Sequence, residues 1–508
     1  MSHLKSIYFK NFRVFRNKTI FELSPITFLT GPNSSGKSSF LKGLLLLKSN
    51  SNSSLQVLDF SGPKHNLGTF ENTKNNKSHE NLITFGLSAS LNAEDLAFSF
   101  SSFLTQAVTT RRSVYKQLFE TESKISQEFI IEITYRNNER SGSVSTIKIF
   151  LLNEEKPIIT LEIGDVNSVS HWLKINYESI VKNKFAKSLF FDGILRGNLK
   201  ISKPENDKIW KVPIKFSISD ASKEQYYDEP ITVFSKLFEK FILANLKEGK
   251  FSEIHPFFLG QPLRRLLKDF AEIIENTEYI EAVRANTKRL YTNDSQGTSF
   301  NELILDYSSR DIPEESVAFI NKWLNKFNIA EEIIFKNVEG VATTIYLKRG
   351  ENEVALADLG YGITQFLPIL LKISLEIPTK KKKNGITPVK KLILLEEPET
   401  NLHPQLQSLL SDFFIDASKT FEIRFLIETH SEYIIRKTQL NIAEKIIPKD
   451  YIKIYYFQPI DKNESEPKIL NIVINENGSL SEDFGKGFID EAVNLKLQLL
   501  QIKTVKKD

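Results

Sequence analysis

One octapeptide constrains this chain more than any other feature. Gly31-Pro-Asn-Ser-Ser-Gly36-Lys37-Ser38 fits the spacing G-x-x-x-x-G-K-[ST]. It follows a compact apolar strand, Ile26-Thr-Phe-Leu-Thr30, and opens a helical run from Ser38 to Lys48. In such a strand–loop–helix unit the backbone N–H groups of the loop and the helix N-terminus converge on phosphate. Gly31, Pro32, Asn33, Ser34, Ser35, Gly36, Lys37, Ser38 and Ser39 are therefore the candidate nucleotide-binding residues. Lys37 would reach the β- and γ-phosphates of ATP, and Ser38 would bind Mg2+. The competing reading is a glycine turn with a chance lysine, and the strand before it and the helix after it argue against that.

A second segment supplies the acids. Leu392-Ile-Leu-Leu-Glu396-Glu397-Pro-Glu399 reads as a buried strand ending in carboxylates. A P-loop ATPase needs one acid there to hold Mg2+ through water, and often a second to polarise the attacking water. Glu396 fits the metal role, although it is one methylene longer than the more usual Asp, and Glu397 fits the catalytic role. Many strands end in solvated carboxylates, so the pattern gains its weight from the octapeptide. Lys37 and Glu396 lie 359 positions apart (396 − 37). Most P-loop folds place the two motifs far closer, so the two halves of one head are expected to flank a large insertion.

The rest of the chain changes pattern along its length. Ile7 and Phe9, then Ile20 and Leu23, suggest two short strands around Asn11-Phe12-Arg13. Residues 49–80 are rich in Ser, Asn, Gly and Lys and read as a loop. Strand-like runs fill residues 81–165, with Phe129 to Tyr135 and Thr146 to Leu151 the clearest. Residues 232–290 turn helical through Val233, Leu237, Phe238, Phe241 and Ile242, then Leu263, Leu266, Leu267 and Phe270. Phe319 to Phe327 is another amphipathic helix. Beyond residue 340 strands are expected at Thr343–Leu347, Leu392–Leu395 and Phe425–Glu428, with helices at Gly362–Ile377, Pro404–Ala417 and Ser431–Gln439. Arg284, Lys288 and Arg289 are expected to share a helix face. Lys380 to Lys383 read as a solvated loop or as a contact to a nucleic-acid backbone.

Several classes are excluded. The chain has no cysteine, which removes disulfides, zinc ribbons and thiol catalysis. A net charge of +4 on 508 residues does not argue for nucleic acid by bulk charge. His3, His65, His79, His171 and His255 show no metal spacing. No apolar run approaches the roughly 18–20 residues of a membrane span, and the N-terminus lacks a signal-peptide core. A soluble, cytoplasmic protein without a membrane partner is expected.

Larger blocks resemble a known group. Ile7-Tyr-Phe-Lys-Asn-Phe-Arg13, the octapeptide, Glu396-Glu-Pro-Glu-Thr-Asn-Leu-His403-Pro and Glu428-Thr-His430-Ser look like ABC-type ATPases of the RecF/OLD/SMC-like group. Tyr279-Ile-Glu-Ala-Val-Arg284 with Arg289-Leu-Tyr291, Asp358 to Pro368, and Asn477-Gly478 with Gly487 to Glu491 resemble AAA-family ATPases of bacterial anti-phage defence, such as the Septu ATPase PtuA and its relatives. The resemblance implies an α/β fold: an ABC-type P-loop ATPase head split by a large insertion, with an antiparallel β subdomain and a helical subdomain. It implies residues 1–165 as the N-terminal half, 166–335 as a mostly helical insertion and 336–508 as the C-terminal half. It places a D-loop at Asn401-Leu402 and makes His430 the sensor of the γ-phosphate. It puts a signature segment at Asp358 to Pro368, with Gly360, Gly362, Thr364 and Gln365 as candidate phosphate contacts across a dimer. The segment departs from the usual Leu-Ser-Gly-Gly-Gln.

The expected function is an ATP-hydrolysing switch that forms a homodimer or higher assembly around ATP and Mg2+ and controls a separate effector nuclease in anti-phage defence. The alternative is a RecF-like repair ATPase that binds DNA and has no nuclease partner. A third reading is a cryptic nuclease within residues 81–335. OLD nucleases carry a Toprim domain after the ATPase, and the 78 residues following His430 (508 − 430) show no Glu-Gly-x-Thr-Glu start and no Asp-x-Asp pattern.

Overall fold

The computed structural model describes residues 3–51, 57–62, 65–91, 127–138, 141–152, 154–163, 170–183, 209–215, 261–282, 288–292, 299–309, 311–338, 342–376, 389–459, 466–485 and 494–499. The chain divides into two compact units. One comprises residues 1–22, 39–277 and 380–390, and the other residues 23–38, 278–379 and 391–508. Together they make a mixed α/β protein.

The first unit is built on an antiparallel sheet. Among the described residues its path runs Ile209–Lys215, Ser170–Asn176, Ile159–Glu162, Ser141–Leu151, Gln127–Asn138, Leu82–Leu91, His3–Lys10 and Thr19–Glu22, with Val57–Leu58 pairing on Ser141–Leu151. The two strands Ser170–Asn176 and Ile209–Lys215 lie in the stretch expected to be mostly helical. Burial alternates along Ser141–Leu151, as it does in a sheet with one covered face. That face carries a phenylalanine cluster: Phe9 stacks on Phe12 and Phe15 at 5.5 and 5.2 Å and meets Phe40 and Phe85 edge-on. Gly86 sits opposite Tyr8, where a Cβ would come within 1.9 Å of the ring. The Tyr8 hydroxyl donates to Glu132 at 2.7 Å, and Lys148 donates to the same carboxylate at 2.7 Å.

The stretch 49–80, expected as a loop, is anchored. Phe60 and Phe70 are both fully buried and meet edge-on at 5.9 Å, and a short helix Phe70–Thr73 is capped by the Thr69 hydroxyl. Its polar composition hid two large apolar anchors. The helix Gln261–Glu275 buries Leu266, Phe270, Ile273 and Ile274. Val233 to Ile242 and Lys380 to Lys383 lie outside the described residues.

The second unit holds a sheet in the order Thr277–Ile280, Leu392–Glu396, Arg424–Glu428, Ile26–Thr30, Ile452–Phe457, Ile469–Ile472. Leu392–Glu396, Arg424–Glu428, Ile26–Thr30 and Ile452–Phe457 run parallel, and Ile469–Ile472 is antiparallel to its neighbour. Ile26–Thr30 and Arg424–Glu428 are buried at every residue. Parallel strands covered on both faces read as continuous apolar runs, and this is why their positions were visible in the sequence. Helices Tyr361–Ser374, Pro404–Phe421 and Glu432–Ala443 belong to this unit, with Glu314–Lys326, whose Trp323 and Phe319 pack on Phe413. The indole N–H of Trp323 donates to Asp416 at 2.8 Å, which satisfies the polar edge of a buried ring.

The helix face expected for Arg284, Lys288 and Arg289 is not formed at Lys288 and Arg289. Both lie in a non-helical connection before the short strand Tyr291–Thr292, and Arg284 lies outside the described residues. Arg289 pairs instead with Asp358 at 2.6 Å.

Candidate functional site

Everything at the site hangs from the C-terminal ends of three adjacent parallel strands, where open α/β sheets place their ligands. The octapeptide leaves Ile26–Thr30 through backbone that side chains resist. Gly31 has φ +137° and Gly36 has φ +108°, and a Cβ on Gly31 would lie 2.3 Å from the Phe457 carbonyl oxygen. Ser34 also adopts a positive φ of 62°. Pro32, Asn33 and Ser34 are exposed, whereas Ser35 is buried with its hydroxyl unpartnered among the described residues.

Lys37 opens the helix Lys37–Ser49 and is only 3% exposed. Its ammonium donates to the Gly31 and Pro32 carbonyls at 3.0 and 2.9 Å and lies 3.8 Å from Glu428. Burial lowers its pKa, and the Glu428 and Glu397 charges oppose that. The hydroxyl of Ser38 donates to Glu428, with the two carboxylate oxygens at 3.3 and 3.2 Å. The Ser39 hydroxyl oxygen accepts from the Arg13 Nε–H at 3.1 Å, within the first unit.

Glu396 and Glu428 are register partners at the ends of neighbouring strands, and Glu428 also pairs with Leu29 of the strand that feeds the octapeptide. Glu428 thereby joins the site, a place that the sequence motifs alone do not assign to it. Its signal was the one used for Glu396, an apolar strand ending in an acid. Burial pushes its carboxyl up to about 7, helped by Glu396 and Glu397 and opposed by Lys37 and the Ser38 hydroxyl. Tyr279 was also missed as a site residue: its hydroxyl donates to Glu396, and burial first, then that carboxylate, raises its pKa.

Glu397 sits at φ 42°, a conformation uncommon for a side-chain-bearing residue and often found at functional sites. Its N–H donates to the Glu428 carbonyl at 2.8 Å, and its carboxylate accepts from the Thr400 hydroxyl at 3.2 Å. Glu399 is 8% exposed and accepts the His430 N–H at 2.6 Å. Burial holds the Glu399 carboxyl above its ordinary range, against the hydrogen bonds from His430 and Thr429. The His430 ring is half-buried. Burial and the Lys37 charge lower its pKa while Glu397 raises it, so the imidazole feels both groups and is held toward its neutral form.

The segment 358–368 divides in two. Gly360, at the N-terminus of helix Tyr361–Ser374, is exposed, with open space where a Cβ would stand. Gly362 is pressed on the loop after the acid pair: a Cβ there would meet the Asn401 carbonyl at 2.5 Å. Thr364 and Gln365 are each 2% exposed.

The octapeptide fits a nucleoside triphosphate. Its two positive-φ glycines leave no side chain in the cradle, a cation sits behind it, and the Ser35 hydroxyl is free among the described residues to donate. Among the described residues no three His, Asp or Glu side chains form a metal-holding group. Mg2+ takes one or two carboxylates and completes its shell with phosphate oxygens and water, a donor set to which the Ser38 hydroxyl and a strand-end carboxylate belong. Ser38 and Glu396 would hold it.

A family model described as AAA ATPase domain matches residues 3–435, and one described as protein of unknown function (DUF3696) matches residues 447–499. No curated protein matches the chain. Solved structures similar to it include the SMC head domain from Thermotoga maritima, with 10% identity, 92% of this chain and 98% of that chain covered, and a TM-score of 0.37. A second is an Smc head domain with an extended coiled coil, bound to the C-terminal domain of ScpA and derived from Pyrococcus furiosus, with 13% identity, 93% and 97% covered, and a TM-score of 0.37. Among the described residues no helix is long and apolar enough to cross a membrane.

Proposed function

This chain belongs to the AAA ATPase domain family, and from that premise we propose that it is an ABC-type switch: it binds ATP and Mg2+, dimerises around them, hydrolyses the nucleotide and thereby controls a separate effector nuclease in bacterial anti-phage defence. The observation that carries the ATPase reading is the meeting of Lys37, Ser38, Glu397, Glu428 and His430 in one cluster, with Lys37 and Glu428 buried and Glu396 one strand away.

When bound, Mg2+ neutralises charge on the phosphate oxygens and the triphosphate supplies the bond to be cleaved. Lys37 binds phosphate from inside the cradle, where low dielectric strengthens its charge. Glu397 takes the proton of the attacking water. Its carboxylate is oriented by the Thr400 hydroxyl and its backbone is tied to Glu428. His430, tied through its own N–H to buried Glu399, offers an imidazole held toward its neutral form, which can still donate one ring N–H to the phosphate.

Dimerisation is supported by the exposed, uncrowded N-terminus of helix Tyr361–Ser374 at Gly360, where a second copy's nucleotide would find free backbone N–H groups. The resemblance of Tyr279–Arg284, Asp358–Pro368 and Asn477-Gly478 to defence ATPases such as PtuA supports the role in defence. Size measurement with and without a non-hydrolysable ATP analogue tests the dimer, and a strict monomer with full ATPase activity would overturn it. Co-purification with a nuclease encoded beside the gene tests the effector. Tight duplex-DNA binding with a steep salt slope and no nuclease partner would favour the RecF-like repair function instead.

A further inference from the structure

We propose that Glu428 is a positioning residue that aims the Ser38 hydroxyl at the divalent cation, so that the metal dependence of nucleotide binding runs through Glu428. The inference rests on the nucleotide-site reading above and deepens it.

A serine hydroxyl has one proton and two lone pairs, and its rotor is set by whichever acceptor takes the proton. In its ionised form, favoured by the Lys37 ammonium 3.8 Å away, the Glu428 carboxylate only accepts. Both oxygens of Glu428 lie near the Ser38 Oγ, at 3.3 and 3.2 Å, so the proton is drawn to Glu428 and the lone pairs are left on the far side of the oxygen. A hard cation binds an oxygen through a lone pair, so this rotor state is the one ready for Mg2+. Without that acceptor the hydroxyl would rotate among its staggered states, and the cation would have to orient it on binding.

Glu428 is well held for such a task. Its strand is buried at every residue, and it is fixed in register between Glu396 and Leu29. Its carbonyl accepts the Glu397 N–H at 2.8 Å. Lys37 stands 3.8 Å from the carboxylate and balances its charge. The division of labour follows from the register: Glu396 ends the neighbouring strand and engages the Tyr279 hydroxyl, while the acid that contacts Ser38 is Glu428. Groups of this kind, one bond removed from a metal, typically account for 10–100-fold in metal affinity.

The test measures affinity for a fluorescent ATP analogue in EDTA and in saturating Mg2+. The readout is the ratio of the two affinities for wild type, Ser38→Ala, Glu428→Leu and the double variant, with no turnover involved. Glu428→Leu, which removes the acceptor, is expected to retain or improve metal-free affinity, because a negative charge near the phosphates is gone, and to lose roughly tenfold or more of the Mg2+ enhancement. Ser38→Ala should lose a similar share, and the double variant no more than Ser38→Ala alone, since both act through one hydroxyl. Glu428→Asp, which keeps the charge but withdraws the carboxylate from Ser38, should reproduce the loss. It also serves if the Leu variant fails to fold. An unchanged Mg2+ enhancement in either Glu428 variant, or multiplicative losses in the double variant, would overturn the proposal while leaving the nucleotide site intact. Failure of wild type to bind the analogue in either condition would overturn the nucleotide site itself, and this proposal with it.

Discussion

The two sheets solve the same folding problem in opposite ways. In the antiparallel sheet Ser141–Leu151 buries alternate side chains, and polar contacts such as Tyr8 with Glu132 and Lys148 join strand to strand. In the parallel sheet Ile26–Thr30 and Arg424–Glu428 are buried throughout, and the polar groups are displaced to the strand ends. A strand with no solvent face has nowhere else to put a carboxylate. The result is that Lys37, Ser38, Glu396, Glu397, Glu428 and His430 collect at one edge. Polar contacts in the first sheet tie strand to strand, whereas in the second they gather at the strand ends beside the octapeptide.

Three variants sharpen or break that contrast. The largest effect is expected for Lys37→Ala, which should weaken ATP affinity by a hundredfold or more, since charge-assisted contacts to phosphate are among the strongest available. Its melting temperature should fall modestly without loss of the fold, because relief of the ammonium's desolvation is outweighed by leaving the Gly31 and Pro32 carbonyls and the Glu428 carboxylate without their cation. Wild-type affinity in this variant would remove the octapeptide from the site. Next comes Gly86→Ala. The new Cβ would overlap a Tyr8 ring that is itself buried and hydrogen-bonded, and should cost about 1–3 kcal/mol of stability. ATP affinity should not change, and an equal loss of affinity would show that the sheets are not separable in function.

The smallest effect is expected for Glu399→Gln, read by melting temperature against pH. Burial holds the Glu399 carboxyl above its ordinary value of 4.5 in the folded protein. The wild type therefore has its full stability from this group below that value and loses it as pH rises through the folded value. Gln does not titrate and still accepts the His430 N–H. Its advantage over wild type should be absent in acid and grow with pH above 4.5. A difference that shrinks with rising pH would contradict the burial-driven shift.

The same contrast explains what was legible in the sequence. Three of the parallel strands announced themselves as apolar runs beside motif residues, and Ile26–Thr30 came out with its bounds unchanged, whereas Ile452–Phe457 adjoins no motif and was not expected. The octapeptide and the acid pair are local patterns, so Lys37 and Glu397 could be named without a fold. Glu428 and Tyr279 could not be given roles, because their partners Ser38 and Glu396 are 390 and 117 positions away (428 − 38 and 396 − 279) and meet them only through strand order. The anchors Phe60 and Phe70 were hidden by the polar residues around them. Gly362 looked like a phosphate contact, whereas the close Asn401 carbonyl gives it a packing reason to be glycine.

The central claim is that residues from the two ends of the sequence form one hydrolytic site, and Glu397→Gln tests it most directly. Glu396, Ser38 and Lys37 are untouched in this variant, so Mg2+ and ATP binding should persist. Turnover under saturating Mg2+ and ATP should fall by orders of magnitude, because a neutral amide is a poor base for the attacking water. Steady-state phosphate release, measured beside analogue affinity on the same sample, decides it. The account predicts retained binding with turnover at least a hundredfold down. A rate within about threefold of wild type, on the scale where about 1.4 kcal/mol is tenfold, would contradict it.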